Sequence, residues 1–372
     1  MSPDVIVVGA GAIGTSVAYQ LAKAGVTVTV FDRGQIGRGA TGASAGMLQL
    51  NPDRTTPIEL SALEQESARL VPALAAELRE RSGIDIGYRS GALLHLALHE
   101  EEEAPLRAHR AWQADHGVAV AWLDRTAALD LEPLLNPDVR AALYYPNDHQ
   151  LMPLVFAQAL ARTAVDLGAT VREGAAVDQL LTEGDRVVGV AIGGERVHAA
   201  EVVIANGAWA SSWSDALHTP IPVRPVRGQM VALRTIGSGL RTIVSSGEGY
   251  MLTKADGATY VGTTVEEAGY DARPTAGGIA GLLAVAPRLV PRMADATFTA
   301  AWAGLRPGTA DGRPLIGRVP GWQGLTIAAG HFRNGILLAP ITGELLADLL
   351  AGRRPRLPVD GFDPGRFRVR AA

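Results

Sequence analysis

The chain begins with a strand, a glycine-rich turn and a helix in immediate succession. An apolar run at residues 5–8 leads into the motif GAGAIG at residues 9–14, and a helix-like segment follows. This order is the context that a dinucleotide fingerprint requires. Gly9 permits the tight turn, Gly11 lets the backbone approach a pyrophosphate, and Gly14 lets the helix pack against the strand. The motif therefore predicts an α/β fold with a Rossmann-like domain, in which the helix N-terminus faces the phosphates.

A second strand-like run supplies the expected acid. Residues 26–31 end in Asp32, about 20 residues beyond the motif, where a carboxylate can accept hydrogen bonds from an adenosine ribose. The alternative is a glycine-rich turn that binds nothing. The strand, the helix and the terminal acid together favour the dinucleotide interpretation.

Composition excludes several classes of protein. The 372 residues are 47% hydrophobic, enough for two domains or one large one, and a net charge of −4 without a Lys/Arg cluster argues against a nucleic-acid partner. The absence of cysteine removes disulfides, a thiolate nucleophile, cysteine-ligated metals and cysteinyl attachment of a cofactor. We therefore expect a non-covalently held cofactor and assign no metal. Without a signal-peptide pattern or an apolar run of about 18 residues, we expect a cytoplasmic protein with no membrane span.

The segment after Asp32 departs from the pattern of a nicotinamide dehydrogenase, in which a third strand would follow. Residues 34–47 read GQIGRGATGASAGM, with glycine interspersed among alanine, serine and threonine. Such small side chains let a large flat group lie close to the backbone, although a flexible surface loop is the alternative. We interpret the segment as a cofactor-lining loop, followed by a long amphipathic helix over residues 58–81.

The remaining patterns predict two interleaved domains, α+β overall. The apolar strand at residues 202–209 stops at a glycine and is expected to return to the dinucleotide sheet. We assign residues 1–83, 150–215 and 300–372 to the Rossmann-like cofactor domain. We assign residues 84–149 and 216–299 to a smaller substrate domain built on a mixed or antiparallel sheet.

Two arginines lie in glycine-rich segments near the end of the chain. Residues 302–317 read WAGLRPGTADGRPLIG and contain Arg306, and residues 330–340 read GHFRNGILLAP and contain Arg333. From Trp302 the sequence predicts a turn, a strand at residues 325–329, a glycine loop and a closing helix. A guanidinium can hold a carboxylate through two parallel hydrogen bonds, whereas an arginine beside a turn is more often a solvated surface charge.

The chain resembles the D-amino-acid oxidase superfamily of FAD enzymes and, within it, the glycine oxidases of thiamin biosynthesis. The resemblance covers nearly the full length. It is carried by GAGAIG with Asp32, ATGASAGML (40–48), VVIANGAW (202–209), VRGQ (226–229), YVGTT (260–264), WAGLRPGTADGRPLIGR (302–318) and AAGHFRNGILLAPITG (328–343). The first element is shared by many dinucleotide proteins, and the last two are long and specific.

The resemblance implies a set of positions that line FAD and a smaller set that contacts substrate. The positions expected at the cofactor, beside the three fingerprint glycines, are Ala12, Ile13, Asp32, Arg33, Ala40, Thr41, Ala45, Gly46, Met47, Val177, Gly330, His331, Phe332, Arg333, Asn334, Gly335, Ile336 and Leu337. Val177 is expected on the adenine side, and residues 331–337 around the flavin ring. Arg306 falls where the family binds the substrate carboxylate, and Tyr250 and Arg333 fall at two further substrate-contacting positions.

The chemistry of these side chains leaves alternatives open. Tyr250 can donate a hydrogen bond to the carboxylate, although a tyrosine in a strand is more often a core or interface residue. Arg333 could steer substrate, cap a carbonyl or pair with an acid. Flavin oxidation of an amine needs no general base, so we expect His331 to shape its loop. The backbone of residues 330–335 and the closing helix can stabilise negative charge on reduced flavin, provided that Pro340 lies in the first turn.

The implied activity is oxidation of glycine and other small amino acids. Hydride passes from the substrate Cα to flavin N5, O2 reoxidises the flavin to give hydrogen peroxide, and the imine yields glyoxylate and ammonia or supplies iminoglycine for the thiazole of thiamin. The family also implies a homo-oligomer, such as a tetramer. Glu248 and Val265 depart from the family pattern at the expected pocket mouth, where Glu248 could attract an ammonium group or be an exposed loop acid.

Four alternatives to this activity stay open at the level of sequence. They are a D-amino-acid or sarcosine-type oxidase, a dehydrogenase with a quinone acceptor, a flavin-binding protein without turnover, and a nicotinamide dehydrogenase.

Overall fold

The computed structural model describes residues 2–367, which form a six-stranded, an eight-stranded, a three-stranded and a two-stranded sheet with helices packed around them. The strands are β1 (Val5–Val8), β2 (Val28–Phe31), β3 (Met47–Leu48), β4 (Leu93–Ala97), β5 (Ala121–Asp124), β6 (Ala141–Tyr145), β7 (His149–Gln150), β8 (Thr170–Arg172), β9 (Gln179–Glu183), β10 (Arg186–Ile192), β11 (Glu195–His198), β12 (Glu201–Ile204), β13 (Arg224–Arg234), β14 (Ile243–Ser246), β15 (Gly249–Thr253), β16 (Thr259–Gly262), β17 (Thr297–Gly308), β18 (Leu315–Arg318) and β19 (Leu325–Ala329). The helices are α1 (Ala12–Lys23), α2 (Ala40–Ala43), α3 (Ile58–Ser82), α4 (Glu100–Asp115), α5 (Arg125–Leu131), α6 (Pro153–Asp166), α7 (Ser214–Leu217), α8 (Ala276–Leu289) and α9 (Gly335–Leu350).

The six-stranded sheet has the order β18-β19-β12-β1-β2-β8 and is parallel except at β18. The pairing of β12 with β1 confirms that the apolar strand near residue 202 returns to the dinucleotide sheet. Val7 of β1 packs with Val17, Leu160 and Ile341 from helices on one face. Residues from the antiparallel strands β9 to β11 pack on the other face, so the sheet is buried on both sides, as parallel sheets usually are.

The eight-stranded sheet has the order β17-β13-β16-β15-β14-β4-β6-β5 and is antiparallel except where β14 meets β4. This confirms the predicted combination of a Rossmann-like part with a mixed sheet. Helix α8 covers one face through Leu282 and Ala286. The other face carries Tyr250 and packs against Ala45 and Met47 of the loop predicted to line the cofactor.

The prediction of a turn from Trp302 onward is wrong. Residues Thr297–Gly308 form β17, which pairs with β13 along its length. The glycines and Pro307 suggest a turn, but β17 is an edge strand, where a residue without an N–H group is tolerated. The sequence patterns also do not indicate β6, β14 or β18. The domain boundaries stay a prediction, although β17 crosses the one drawn at residue 300.

Among residues 2–367, no helix is both long and apolar enough to cross a lipid bilayer.

Candidate active site

A large cavity of about 1200 Å³ lies between the loop after β2 and the face of the eight-stranded sheet that carries Tyr250. Its walls include these residues predicted from sequence: Gly9, Gly11, Ala12, Ile13, Asp32, Arg33, Ala40, Thr41, Ala45, Gly46, Met47, Val177, Tyr250, Arg306, His331, Phe332, Arg333, Asn334, Gly335 and Ile336. Three predicted positions are not part of the walls. Gly14 packs against the carbonyl of Gly9, Gly330 against Thr309, and Leu337 is buried in the core.

The start of α1 forms one end of the cavity. Gly9 has a left-handed φ of 110°, and a Cβ atom there would lie 2.8 Å from the carbonyl carbon of Ala205. The glycine therefore lets the turn pass close to the end of β12. The N-cap residue, Gly11, has no side chain that could cap the helix, and the Ala12 N–H donates a hydrogen bond to Thr41 Oγ1 at 3.0 Å. The glycine turn and the N-terminus of α1 fit a pyrophosphate.

Asp32 lies where the sequence predicts a ribose-binding acid. Its Oδ2 accepts a hydrogen bond from the Ala10 N–H at 2.7 Å, and its Oδ1 accepts one from the Gly34 N–H at 2.8 Å. These two contacts fix the carboxylate and leave lone pairs for ribose hydroxyls, since a carboxylate has about four acceptor sites. Beside it, the guanidinium of Arg33 lies 3.7 Å from the centre of the Trp209 ring.

Residues 331–334, directly before α9, line a second part of the cavity wall. His331 is buried, its Nε2 lies 3.1 Å from Thr342 Oγ1, and its carbonyl accepts the Asn334 N–H at 3.0 Å. Burial lowers the pKa of His331 to about 3, so the imidazole is neutral. Both features agree with a structural role in shaping the loop. The side-chain amide of Asn334 donates to Glu64 of α3.

Helix α9 begins at Gly335, on the cavity wall, so Pro340 lies in its second turn rather than its first. Proline there removes the hydrogen bond that its N–H would give to the Ile336 carbonyl. Ser67 of α3 is fully buried, and its hydroxyl bridges the two backbone groups that would form the next hydrogen bond along α9. It donates to Leu337 O and accepts a hydrogen bond from the Ile341 N–H at 3.3 Å. The helix is therefore continuous past Pro340, and its N-terminus still faces the cavity.

Arg306 projects from β17 over β13. Its Nη1 donates to Thr264 O at 3.2 Å and its Nη2 to Thr263 Oγ1 at 2.7 Å, while the guanidinium covers the backbone of Gly228. Within the described part of the chain, Arg306 forms no ion pair. Burial lowers the pKa of Arg306, and the charge of Arg333 acts in the same direction. A half-buried guanidinium without a carboxylate partner can bind an anion.

Tyr250 and Arg333 lie near this guanidinium. The Tyr250 ring crosses above Gly262, and its hydroxyl lies 3.4 Å from Met230 Sδ. Burial raises the pKa of Tyr250 to about 12, whereas the charges of Arg306 and Arg333 lower it, so the phenol is a neutral donor. Arg333 is exposed, with its guanidinium 5.3 Å from the Phe332 ring centre. The fold thus brings together the three residues predicted to contact substrate.

Glu248 and Val265 both lie at the cavity, as their predicted position at its mouth requires. Glu248 is exposed and forms an ion pair with Arg288 at 2.7 Å. Val265 is 52% exposed. The pairing of Glu248 favours the interpretation of an exposed loop acid.

Sequence reasoning missed the residues that surround the guanidinium. Gly228, Thr263 and Thr264 lie in the motifs VRGQ and YVGTT, which carry the resemblance but assign these positions no contact. The pairing of β13 with β17 brings Gly228 to Arg306, since Val226 is paired with Arg306 and Gly228 with Gly304, whereas Thr263 and Thr264 directly follow β16, the other neighbour of β13. In residues 2–367, no group of three or more His, Asp or Glu side chains is arranged to hold a metal ion.

The glycine turn, the helix N-terminus, the acid at the end of β2 and the size of the cavity fit a dinucleotide. The sequence model of the family described as FAD dependent oxidoreductase matches residues 4–349. Glycine oxidase of Geobacillus kaustophilus is 41% identical over 350 residues, which cover 93% of this chain and 92% of that protein. The crystal structure of glycine oxidase from Geobacillus kaustophilus has a TM-score of 0.93 at 38% identity, with 99% of both chains covered.

A longer relative also matches. The bifunctional protein ThiO/ThiG of Trichormus variabilis is 32% identical over 377 residues, which cover 100% of this chain and 56% of that protein. The match to the family model spans both the glycine turn at Gly9 and Arg306 of β17. This chain therefore belongs to the family of FAD-dependent oxidoreductases.

Proposed function

We propose that this protein is an oxidase of glycine and other small amino acids, with FAD as its bound cofactor. The observation that carries the proposal is the guanidinium of Arg306, which is half-buried, has no ion pair among the described residues and lies near Tyr250. A small amino acid offers the carboxylate that this arrangement lacks. The similarity to proteins named glycine oxidase supports the same substrate class.

Binding begins with the carboxylate. The two hydrogen bonds to Thr263 and Thr264 fix the plane of the Arg306 guanidinium and leave other N–H groups for the substrate. The neutral Tyr250 hydroxyl can donate a further hydrogen bond to the same carboxylate. Because the substrate is small, holding its carboxylate also orients its Cα–H bond. Orientation of the reacting groups is a large part of what an enzyme can contribute to a reaction between two molecules.

The substrate's amine must be uncharged to react. Arg333 is exposed at the cavity and forms no ion pair within residues 2–367, so its charge remains after Arg306 has bound the carboxylate. A nearby positive charge lowers the pKa of an ammonium group. The charge of Arg333 thus favours the neutral amine without a general base, in agreement with the neutral and hydrogen-bonded His331.

FAD would be held by the turn from Gly9 to Ile13, by Asp32, by the loop from Ala40 to Met47 and by the backbone before α9. The chemistry that it supplies when bound is acceptance of a hydride from Cα and transfer of the electrons to O2, which yields hydrogen peroxide. The N-terminus of α9 provides unpaired N–H groups and the positive end of a helix dipole. Because these groups lie at the cavity, they would stabilise negative charge on a reduced flavin ring.

The imine product hydrolyses to glyoxylate and ammonia or serves as the iminoglycine precursor of the thiamin thiazole. The resemblance to glycine oxidases of thiamin biosynthesis and the match to ThiO/ThiG support this role. The name oxidase among the relatives supports O2 as the acceptor. The homo-oligomer and the cytoplasmic location stay predictions.

The test is a peroxide-coupled assay of the FAD-loaded protein with glycine, sarcosine and D-alanine. We expect peroxide with glycine, and its loss in Arg306→Ala at concentrations that saturate the native protein. Absence of peroxide with all three substrates would contradict an oxidase. Substrate-dependent bleaching of the flavin without peroxide would instead indicate another electron acceptor.

A further inference from the structure

Two side chains, one from Trp302 of β17 and one from Lys254 directly after β15, hold the cofactor-lining loop through two of its carbonyls. The indole Nε1 of Trp302 donates to Ala43 O at 3.0 Å, and Lys254 Nζ donates to Ala45 O at 2.9 Å. Both carbonyls belong to residues on the cavity wall. The loop is therefore attached to the sheet by two directed hydrogen bonds in addition to its apolar packing.

Lys254 is a buried lysine whose protons are all engaged. It is 2% exposed, and besides Ala45 O its Nζ donates to Leu151 O at 2.7 Å and to Gln150 Oε1 at 3.1 Å. An ammonium group has three donors, and here each has an acceptor. Burial lowers the pKa of Lys254 to about 7, whereas the three acceptors favour the protonated form.

The contrast with the other lysine of the chain is clear. Lys23 is half-exposed and forms an ordinary ion pair with Glu77 at 2.8 Å. Lys254 forms no ion pair within the described residues, so only its three hydrogen bonds offset the free-energy cost of burying its charge. The hydrogen bonds of Lys254 connect the cofactor-lining loop with the β7 region.

Tyr260 links the two side chains that hold the loop. Its ring meets that of Trp302 edge to face, with centroids 5.0 Å apart, and Lys254 Nζ lies 5.9 Å from its centre. We call Trp302, Tyr260 and Lys254 the loop brace. All three lie on the face of the sheet that carries Tyr250 and faces the loop.

The loop brace shares its strands with the substrate-facing residues. Lys254 directly follows β15, four residues after Tyr250, and Trp302 lies on β17, four residues before Arg306. Residues four apart on a strand point to the same face and lie about 13 Å apart. On β17, Arg306 is directed at the substrate and Trp302 holds the loop. On β15, Tyr250 is directed at the substrate, and Lys254 directly after the strand holds the loop.

We propose that Trp302 and Lys254 are positioning residues that set the spacing between the cofactor-lining loop and the substrate-binding pair Tyr250 and Arg306. The effect on turnover rests on the proposed function, whereas the effect on the bound cofactor does not. Misplacement of reacting groups by about 1 Å can slow a reaction by about 100-fold.

The variants are Lys254→Met, which keeps the length of the side chain without its donors, and Trp302→Phe, which keeps an aromatic ring without the N–H group. Lys23→Met is the matched control, because it removes the exposed lysine. The first measurements need no turnover. They are the visible circular dichroism of bound FAD and the dissociation constant of FAD, measured by reconstitution of the apoprotein.

We expect a changed dichroism spectrum and an increase in the FAD dissociation constant of about tenfold in both brace variants, with none in Lys23→Met. The second measurement is the rate of anaerobic flavin reduction at saturating glycine. We expect a fall of about tenfold or more, with KM for glycine changed less than about threefold because the carboxylate site is intact.

If either brace variant keeps the native dichroism, FAD affinity and reduction rate, the proposal is overturned. A variant whose only change is a raised KM for glycine would overturn it as well. If Lys254→Met does not fold, Trp302→Phe decides. If glycine does not reduce even the native protein, the proposed function fails, and the dichroism and FAD affinity alone decide the role of the loop brace.

Discussion

The guanidinium of Arg306 lies so close to Gly228 that a Cβ atom on residue 228 would overlap both of its terminal nitrogens. The two residues come from neighbouring strands β17 and β13, and the missing side chain of Gly228 leaves the space that the guanidinium occupies. The guanidinium that we propose to bind the substrate carboxylate is therefore positioned by a residue without a side chain.

Gly228→Ala should displace the guanidinium with little effect on folding, because the overlapping atoms form the end of a flexible side chain. Loss of well-placed charge-assisted hydrogen bonds should raise KM for glycine about tenfold or more. The measurement is KM together with the thermal midpoint. Gly277→Ala on α8 is the control, since a Cβ there meets nothing within 4 Å. An unchanged KM in Gly228→Ala would contradict this role.

Ser67→Ala should destabilise the protein, because it leaves the Leu337 carbonyl and the Ile341 N–H without their shared hydroxyl in a buried helix. The expected loss is about 1–3 kcal/mol in the free energy of unfolding, measured by urea denaturation. The comparison is Ser61→Ala in α3, the helix that also carries Ser67, because Ser61 is only half-buried. Equal stability of the two variants would show that the hydroxyl does not support α9.

Glu64→Gln should change how stability depends on pH. Burial raises the pKa of Glu64 to about 8 from its ordinary value of 4.5, so the folded protein binds one more proton than the unfolded chain between these values. The free energy of unfolding should therefore fall as pH rises through this window, by at most about 1.4 kcal/mol per pH unit from this group. Glutamine keeps an acceptor for Asn334 and removes the titration.

The measurement is the urea midpoint at about pH 5 and about pH 8 for the native protein, Glu64→Gln and the exposed control Glu59→Gln. We expect the urea midpoint to differ less between the two pH values in Glu64→Gln than in the native protein. In Glu59→Gln we expect the same difference as in the native protein. If Glu64→Gln and the native protein show the same difference, Glu64 is not a buried, proton-binding group.

Glu248→Gln should change KM for glycine less than about fivefold, since solvent screens an exposed ion pair and its loss costs at most about 1 kcal/mol. Arg288→Gln removes the other partner of the pair and should have a similarly small effect. Steady-state KM at low and high salt is the measurement. A large, salt-sensitive rise only in Glu248→Gln would mean that this carboxylate attracts the substrate's ammonium group.

The sequence predicts the cofactor end of the cavity well because its signals are local. Gly9, Ala12 and Asp32 fall within one strand, turn, helix and strand, and all three reach the cavity wall as expected. The family motifs likewise predict that Arg306 and Arg333 approach the same space. Whether each residue performs its assigned role stays a prediction.

The sequence could not predict how the substrate end is assembled. The hydrogen bond of Lys254 to Ala45 joins residues 209 positions apart, and that of Trp302 to Ala43 joins residues 259 apart. A strand pattern shows which residues share a face but not which strand will be its neighbour. The glycines and Pro307 around Arg306 resemble a turn until β13 is known to pair with them.

The most direct test of the account is anaerobic mixing of glycine with the FAD-loaded native protein, Arg306→Lys and Arg306→Ala, while the visible flavin absorbance is followed. We predict bleaching in the native protein, weaker binding of glycine in Arg306→Lys because a planar two-donor fork is lost, and no bleaching in Arg306→Ala at glycine concentrations that saturate the native protein. Bleaching of Arg306→Ala at the native rate and with the native glycine dependence would contradict the central claim that Arg306 binds the substrate carboxylate.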